Sequence, residues 1–354
     1  MYDNGSAGVP EFRSVIGGAP VSARKLHGWV AARSGRRGAR QCQTALSVTV
    51  PVAVTASSAH AGGVRRCSSP WSCPVCAPAV AARRSTQIED AVNAWRAKGG
   101  EVALVTATVR HWRGDSLKST LDRLYAAWGS TFAGRAGQAL RGEGGGVCRV
   151  IEVTYGAKTG WHPHIHAVVF GFDGLAARLD QGRYRWSDAV ARQGGYATVA
   201  NGWDVVSIGG NDSGAILGKY LGMEVSPVKA KDTRAPGRVT PFELAHAGFH
   251  GDDRAAGLWD EYDASTVRRR RIGWTPGFLA ALEVEDVTDQ EASAVAPEDV
   301  VKAIVHIPSD EWNRAVLEGE TGVLLDFAQA VVNDGAELPG GWSIDDDIPP
   351  DWDG

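Results

Sequence analysis

The sequence predicts an α+β fold: an antiparallel sheet with flanking helices, preceded by a cysteine-rich region and followed by a small C-terminal unit. Three observations predict it. EVALVTATVRHW (101–112), VCRVIEVTYG (147–156) and HIHAVVF (164–170) are rich in β-branched residues, and one long helical stretch separates the first from the other two, giving the order strand, helix, strand, strand. The connection AKTGWHP is too short for a parallel crossover, so the last two strands pair antiparallel. Three of the five cysteines, Cys67, Cys73 and Cys76, fall within ten residues ahead of the strands, a spacing that suits a metal better than a disulfide framework.

At 354 residues the chain is long enough for two domains. Residues 1–45, with RSGRRGAR at 33–40, read as a flexible basic arm. Residues 46–100 form the cysteine-rich region: ALSVTVPVAVTA (45–56) leads in as strand, and PAVAARRSTQIEDAVNAWRAKGG (78–100) is a helix stopped by paired glycines. The body spans 101–282. In it LKSTLDRLYAAWGSTFAGRAGQAL (117–140) has helical spacing at Leu117, Leu121, Leu124, Trp128 and Phe132. A helix and a short strand around Trp203–Ile208 follow, then an amphipathic helix over DSGAILGKYLGMEV (212–225), helices around PFELAHAGF and AAGLWDEYDAST, and the basic run VRRRRIGW. An acidic linker (283–299), a small accessory unit (300–340) and a disordered acidic tail (341–354) complete the expected organisation, with no internal repeat.

Charge is divided unequally. Residues 1–282 carry 35 basic and 22 acidic side chains, whereas 283–354 carry 2 basic and 19 acidic, so the net −4 conceals a basic body able to attract phosphates. The acidic end solvates the chain, competes for its basic surface, or contacts a partner. No leader and no apolar run of 18 residues is visible, so a cytoplasmic protein without membrane contact is expected.

GWHPHIHAVV (160–169) spends three of nine histidines in five residues. On a strand, His164 and His166 project to one side, presenting half of a divalent-metal site. Glu152 is the expected third ligand, because the short connection lets VIEVTY lie beside HIHAVV. Two imidazoles and one carboxylate leave coordination positions open for a phosphate oxygen. His162 reads as a third imidazole ligand, a phosphate contact, or a surface residue, since Pro163 puts a bend or strand start there. The bland reading is a pair of exposed strand histidines. His27, His60, His111, His246, His250 and His306 are isolated and default to structural or surface roles.

GWHPHIHAVVF resembles the signature of the histidine-hydrophobe-histidine endonucleases, specifically the rolling-circle replication initiators of small bacterial plasmids. ALVTATV (103–109) is similar to the family's first strand motif and GKYLGME (218–224) to its lysine-tyrosine motif, while GRVTPFELAHAG and LWDEYDASTVRRRRIGWTPG resemble the downstream region of actinobacterial members. The resemblance covers roughly 60–282. It implies that 101–282 is a metal-dependent nicking and joining domain and that Tyr220 is the nucleophile, forming a 5′-phosphotyrosine and releasing a 3′-hydroxyl that primes synthesis. Glu152, His164 and His166 would hold Mg2+ or Mn2+. Lys219 would contact a flanking phosphate or favour the phenolate, although adjacent helical residues face different ways. The alternative for Tyr220 is an aromatic residue packing its helix onto the sheet.

Two positions depart from the family pattern. Met223 stands where many relatives carry a lysine, with Lys229 or Lys231 as substitutes, and Ile216 stands where some carry a water-activating glutamate. Glu224, one turn after Tyr220, is the candidate replacement, with Tyr220 of a second subunit in a homodimer as the other route to termination.

RRCSSPWSCPVC (65–76) holds a metal-binding knuckle for structural Zn2+, with Cys42 as the expected fourth ligand and His60 in reserve. A redox pair and a set of reduced structural thiols are the rivals, and Cys148 is assigned to a buried strand. The resemblance supports a cysteine-rich region ahead of the nuclease strands. Such a staple would present Arg65, Arg66, Arg83 and Arg84 to DNA phosphates. Arg268, Arg269, Arg270 and Arg271 form a second basic site or a solvated run. Trp71, Trp112, Trp161 and Trp274 are candidates for stacking on unpaired bases or for the core; Trp161 leads because it borders the histidine strand.

The expected function is therefore a plasmid replication initiator acting on single-stranded or hairpin origin DNA. With no GxxxxGK[ST] stretch, unwinding falls to a host helicase and extension to a host DNA polymerase. A mobilisation relaxase or transposase of the same chemistry is the runner-up, though PFELAH and WDEY favour replication. A non-catalytic zinc-containing origin-binding regulator fits Met223 and Ile216, and a zinc hydrolase of small substrates leaves the basic body unexplained.

Overall fold

The structure, a computed structural model, describes residues 21–209, 237–294 and 300–345. Its strands in chain order are β1 (Thr49–Val54), β2 (Ala59–Ala61), β3 (Glu101–Thr108), β4 (Val147–Gly156), β5 (Gly160–Gly171), β6 (Trp203–Ile208), β7 (Arg238–Val239), β8 (Ile272–Trp274), β9 (Ala303–Pro308) and β10 (Ser343–Asp345). They form two antiparallel sheets flanked by helices, one in each of two compact units. The first unit is built from the described part of Arg84–Asp286, the second from that of Pro20–Arg83 and Val287–Gly354. Among the described residues no helix is long and apolar enough to cross a membrane.

In the first unit the strand order is β6-β3-β5-β4-β7, with β8 also pairing β4. The β4–β5 hairpin is its centre, running in register from Val147↔Val169 to Gly156↔Gly160. Gly160 is required there: its φ is +78°, and a Cβ would lie 2.9 Å from the Arg113 Cα. Strand β5 starts at Gly160 and runs through Pro163 without the bend the proline led us to expect. Pairing with β3 extends only to Thr108↔His164, so at Pro163 that flank has no ladder to interrupt.

Helix Leu117–Phe132 is capped by the Ser116 hydroxyl and buries Leu117, Leu121, Leu124 and Trp128. It ends at Ala133, and a separate helix Gly134–Arg141 begins with Gly134 at φ +63°, so the periodic stretch 117–140 makes two helices rather than one. Trp128, Trp186 from helix Leu175–Arg192, and Trp203 meet with ring centroids 6.0–6.5 Å apart. This aromatic packing anchors two helices to the β6 end of the sheet. Helix Pro241–Phe249 opens with a capping box between Thr240 and Glu243, and helix Asp253–Ser265 opens on Asp252.

In the second unit the order is β10-β9-β1-β2, and β1 pairs β9 from Thr49↔Pro308 to Val54↔Ala303. Val50, Val52, Val54, Val305, Ile307 and Trp312 fill its core. The sequence reading treated 46–100 and 300–340 as separate segments, whereas here β1 and β9 share one sheet. The apolar face of β1 is completed by residues some 250 positions downstream. Within the stretch read as a flexible arm, Ala23–Arg33 is a helix capped by Ser22 that buries Leu26, His27 and Val30. Of the expected tail, Ser343–Asp345 pairs with β9; residues 346–354 lie outside the described residues.

Candidate functional site

The hairpin register decides what the histidine strand faces. Glu152 stands directly opposite His164 and Val150 opposite His166, while on the other flank Thr106 of β3 stands opposite His166. Directly opposed residues share a sheet face, so Glu152, His164, His166 and Thr106 converge. The Glu152 Oε2 is bonded to His164 Nε2 and lies 3.3 Å from His166 Nε2. Each of the three offers a ligand atom within 4.8 Å of the others, and all three residues are at least nine-tenths buried. Two donors sharing a divalent cation at about 2.1 Å each stand roughly 3.0–3.4 Å apart, a range that includes the separation of Glu152 Oε2 and His166 Nε2.

A carboxylate this deeply buried calls for positive charge beside it. His166 does not supply it. Burial holds His166 below the ordinary imidazole range against the raising effect of Glu152, so it is neutral and carries a lone pair for coordination. Its other nitrogen, Nδ1, lies 3.1 Å from the Thr106 hydroxyl, which orients the ring with Nε2 toward Glu152. The Nδ1 of His164 is buried with no hydrogen-bond partner among the described residues. The donor set and its burial therefore fit a divalent cation that accepts nitrogen and oxygen ligands.

His162 continues the row but is not part of this group. Its ring centroid is 5.1 Å from that of His164, and its Nδ1 is 3.3 Å from Nδ1 of His111. Burial, reinforced by His164, Arg238 and His111, pushes the His162 imidazole down to about 2. His111, taken from sequence as isolated, thus stands beside the candidate centre. The β3–β5 ladder ends at Thr108↔His164, so no strand register marked His111 in the sequence. Arg238 was also missed: it stands opposite Gly156, on the Glu152 face, and its charge acts on both Glu152 and His162.

The second unit holds a different group. Cys42 Sγ lies 3.8 Å from Cys73 Sγ and 3.5 Å from Cys76 Sγ, and Cys67 Sγ lies 3.9 Å from Cys76 Sγ. These gaps are far longer than a disulfide and match the edge of about 3.8 Å expected of four sulfurs held tetrahedrally at about 2.3 Å. Backbone N–H groups of Cys67 and Cys76 donate to the sulfurs of Cys42 and Cys73, and the Gln43 amide donates to Cys42. Hydrogen bonds from Cys67, Cys73 and Cys76 pull Cys42 well below the usual thiol range, while the Cys42 sulfur, with burial, pushes Cys67 up and burial, with the neighbouring sulfurs, pushes Cys73 up. Cys76 opens helix Cys76–Ala97, whose N-terminus favours negative charge. His60 is engaged with Ser58 instead, and Cys148 is fully buried in β4, with its thiol raised by burial.

Comparison with known proteins finds a family resemblance over part of the chain. Residues 61–174 match the family described as Replication protein. The chain is 29% identical over 336 aligned positions to Protein rep of Streptomyces lividans, covering 71% of this chain and 72% of that protein. It is also 36% identical over 140 positions to a Neomycin resistance protein of Streptomyces cyanogenus, covering 32% of each. No solved structure matches. The segment matching the replication-protein family contains Cys67, Cys73, Cys76, Glu152, His164 and His166, so both ligand groups fall largely inside it.

The residues expected to touch DNA fare unequally. Arg65, Arg83, Arg268 and Arg270 are exposed, and Arg66 and Arg269 half-buried. Arg84 and Arg271 are buried: Arg84 bonds to Gln87, and the Arg271 guanidinium reaches the Ile151 carbonyl. Trp161, the leading stacking candidate, is 2% exposed, with its indole N–H donating to Glu261 and its ring against Tyr155 and Tyr262. It faces the core because strand alternation sends 161 to the side opposite 162, 164 and 166. Trp71 is equally buried. Lys219, Tyr220 and Glu224, with Ile216, Met223, Lys229 and Lys231, lie outside the described residues.

Proposed function

We propose that this chain is a rolling-circle plasmid replication initiator that nicks one strand of its origin and rejoins it. The observation that carries the reading is the buried convergence of Glu152, His164 and His166 on one sheet face, in a segment matching the replication-protein family. Mg2+ or Mn2+ held by these three side chains would polarise a phosphate oxygen of the scissile group.

The chain's own residues supply the rest. Tyr220 attacks the phosphorus: its phenolate oxygen forms the new P–O bond, the bond to the 3′ oxygen breaks, and that oxygen leaves as a hydroxyl after taking up a proton. The 5′ end stays attached to the tyrosine, and the reverse displacement rejoins the strand without a nucleotide cofactor. Lys219 serves a flanking phosphate, and Glu224 activates water at termination. His166 is kept in one orientation by Thr106, and Arg238 brings positive charge to the phosphate side of the group. The four cysteines hold Zn2+ as a structural staple for their own unit. Exposed Arg65, Arg83, Arg268 and Arg270 neutralise DNA phosphates. Single-stranded or hairpin origin DNA is the substrate, a host helicase and polymerase extend the nick, and a homodimer offers a second tyrosine.

Covalent transfer tests this. The full chain is incubated with labelled single-stranded oligonucleotides tiling the candidate origin, with Mn2+ or EDTA, beside a Tyr220→Phe variant. A Mn2+-dependent protein–DNA adduct absent from the variant is expected. Origin binding without any adduct overturns the nicking reading in favour of a non-catalytic regulator.

A further inference from the structure

The loop that follows β3 carries the one exposed tryptophan among those considered as base-stacking candidates that stands beside the histidine row. Trp112 is 60% exposed, and the Arg110 guanidinium lies over its ring at 4.3 Å from the centroid. The same guanidinium lies 5.7 Å from the ring of Tyr196, itself 54% exposed, and the Arg110 backbone N–H donates to the Tyr196 carbonyl. Two aromatic faces thus flank one cation in open solvent, an arrangement that burial of apolar surface alone would not retain.

The loop is held in place. Asp115 accepts from the Trp112 backbone N–H at 2.9 Å, and the backbone at 112–113 lies so close to Gly160 that any side chain there would clash. Between Arg110 and Trp112 sits His111, whose ring centroid is 4.6 Å from that of His162, which in turn is 5.1 Å from His164. A short row of rings, His111, His162 and His164, therefore runs from this loop to the Glu152 group. Arg113 in the same loop and Lys158 in the β4–β5 turn are also exposed, so the rim carries the charge that a nucleotide backbone needs.

We propose that Trp112 and Tyr196, bridged by Arg110, form a stacking platform for unpaired nucleobases of single-stranded DNA flanking the phosphate held at the Glu152 group. The assignment rests on the nicking reading for its address, but base stacking itself needs neither metal nor cleavage. Stacking is tolerant of sequence because every base has a π-face, so the platform grips the strand without choosing the nick position. A duplex hides those faces and gains only the charge contribution.

The test separates the two claims. Affinity of the full zinc-loaded chain for a fluorescently labelled short thymidine-rich single strand is measured without added Mg2+ or Mn2+ for wild type, Trp112→Ala, Trp112→Phe, Tyr196→Ala and Arg110→Ala, with a duplex of equal length as control. Trp112→Ala and Tyr196→Ala should each weaken single-strand binding about tenfold, with duplex binding unchanged and Trp112→Phe close to wild type. Arg110→Ala should weaken binding and flatten its salt dependence by roughly 0.7 in log–log slope. Photocrosslinking to 5-iodouridine placed in the strand should label Trp112 or Tyr196. Unchanged single-strand affinity in both aromatic variants, or equal losses on duplex, overturns the platform. Absence of Mn2+-dependent cleavage by wild type that still loses binding in the variants would instead sink the nicking reading and leave the platform standing.

Discussion

In one unit four cysteine sulfurs cluster within 4.8 Å of one another and accept from backbone N–H groups; in the other, two imidazoles and a carboxylate share one face of a sheet. The first set can fill every coordination position of a tetrahedral ion, so its chemistry ends with folding. The second supplies three donors of mixed charge and leaves positions for a substrate oxygen. The way each is built differs too. The cysteines come from loops and a helix start. Glu152 and the histidines are fixed by hairpin register before any metal arrives. Metal removal should therefore unfold one region and merely silence the other.

The largest effect should come from breaking the thiolate set. Cys73→Ser should reduce zinc from one to none per chain by elemental analysis and collapse the melting transition of its unit, since structural zinc contributes on the order of 10 kcal/mol. A stable, zinc-free variant would show the cluster to be a group of ordinary buried thiols. Next, Glu152→Gln or His164→Ala should leave zinc content and melting intact while slowing nicking about a thousandfold, the loss of several kcal/mol of charge stabilisation. Should either variant unfold, the contrast between a folding site and a chemical site fails.

Much of this centre was legible in the sequence, and the reason is local. Strand alternation puts His164 and His166 on one side, and a three-residue turn brings Glu152 opposite His164, with only short-range geometry involved. What escaped reading depends on packing between distant segments. The apolar run at β1 names no partner, so its pairing with β9 could not be foreseen. His111 looked isolated because its neighbour, His162, lies far along the chain. Trp161 borders the histidines in sequence yet turns to the core, whereas Trp112, at the end of a strand whose pairing stops at Thr108, is released to solvent. Adjacency along a strand is the wrong measure of adjacency at a site.

Smaller effects sharpen the contrast. Thr106→Val removes the partner of His166 Nδ1 and should weaken Mn2+ binding about 10–100-fold while leaving zinc bound, measured by titration calorimetry on zinc-loaded protein. An unchanged affinity would place the ligand orientation elsewhere. Acid should act on the same centre. Burial lowers His162 to about 2 and also lowers His166 and His111, so unfolded imidazoles take up protons below about 6.5 while the native ones stay neutral. Their contribution is fully present above about 6.5 and is lost as pH falls toward the native values, about 1.4 kcal/mol per pH unit for each such site. Without added Mg2+ or Mn2+, the melting temperature of the first unit should be lower at pH 5.5 than at pH 7.5. A rise would mean that the histidines gain, rather than lack, a stabilising partner when charged.

The most direct measurement follows both metals through one reaction. Zinc-loaded protein freed of other cations is mixed with the origin oligonucleotide that wild type cleaves, Mn2+ is titrated in, and nicked product and bound zinc are counted together for wild type and a Glu152→Gln, His164→Ala double variant. The account expects nicking to rise with Mn2+ at a constant one zinc per chain, and the double variant to keep its zinc and cleave nothing. Cleavage by the double variant at the wild-type rate would contradict the assignment of this centre to the chemistry.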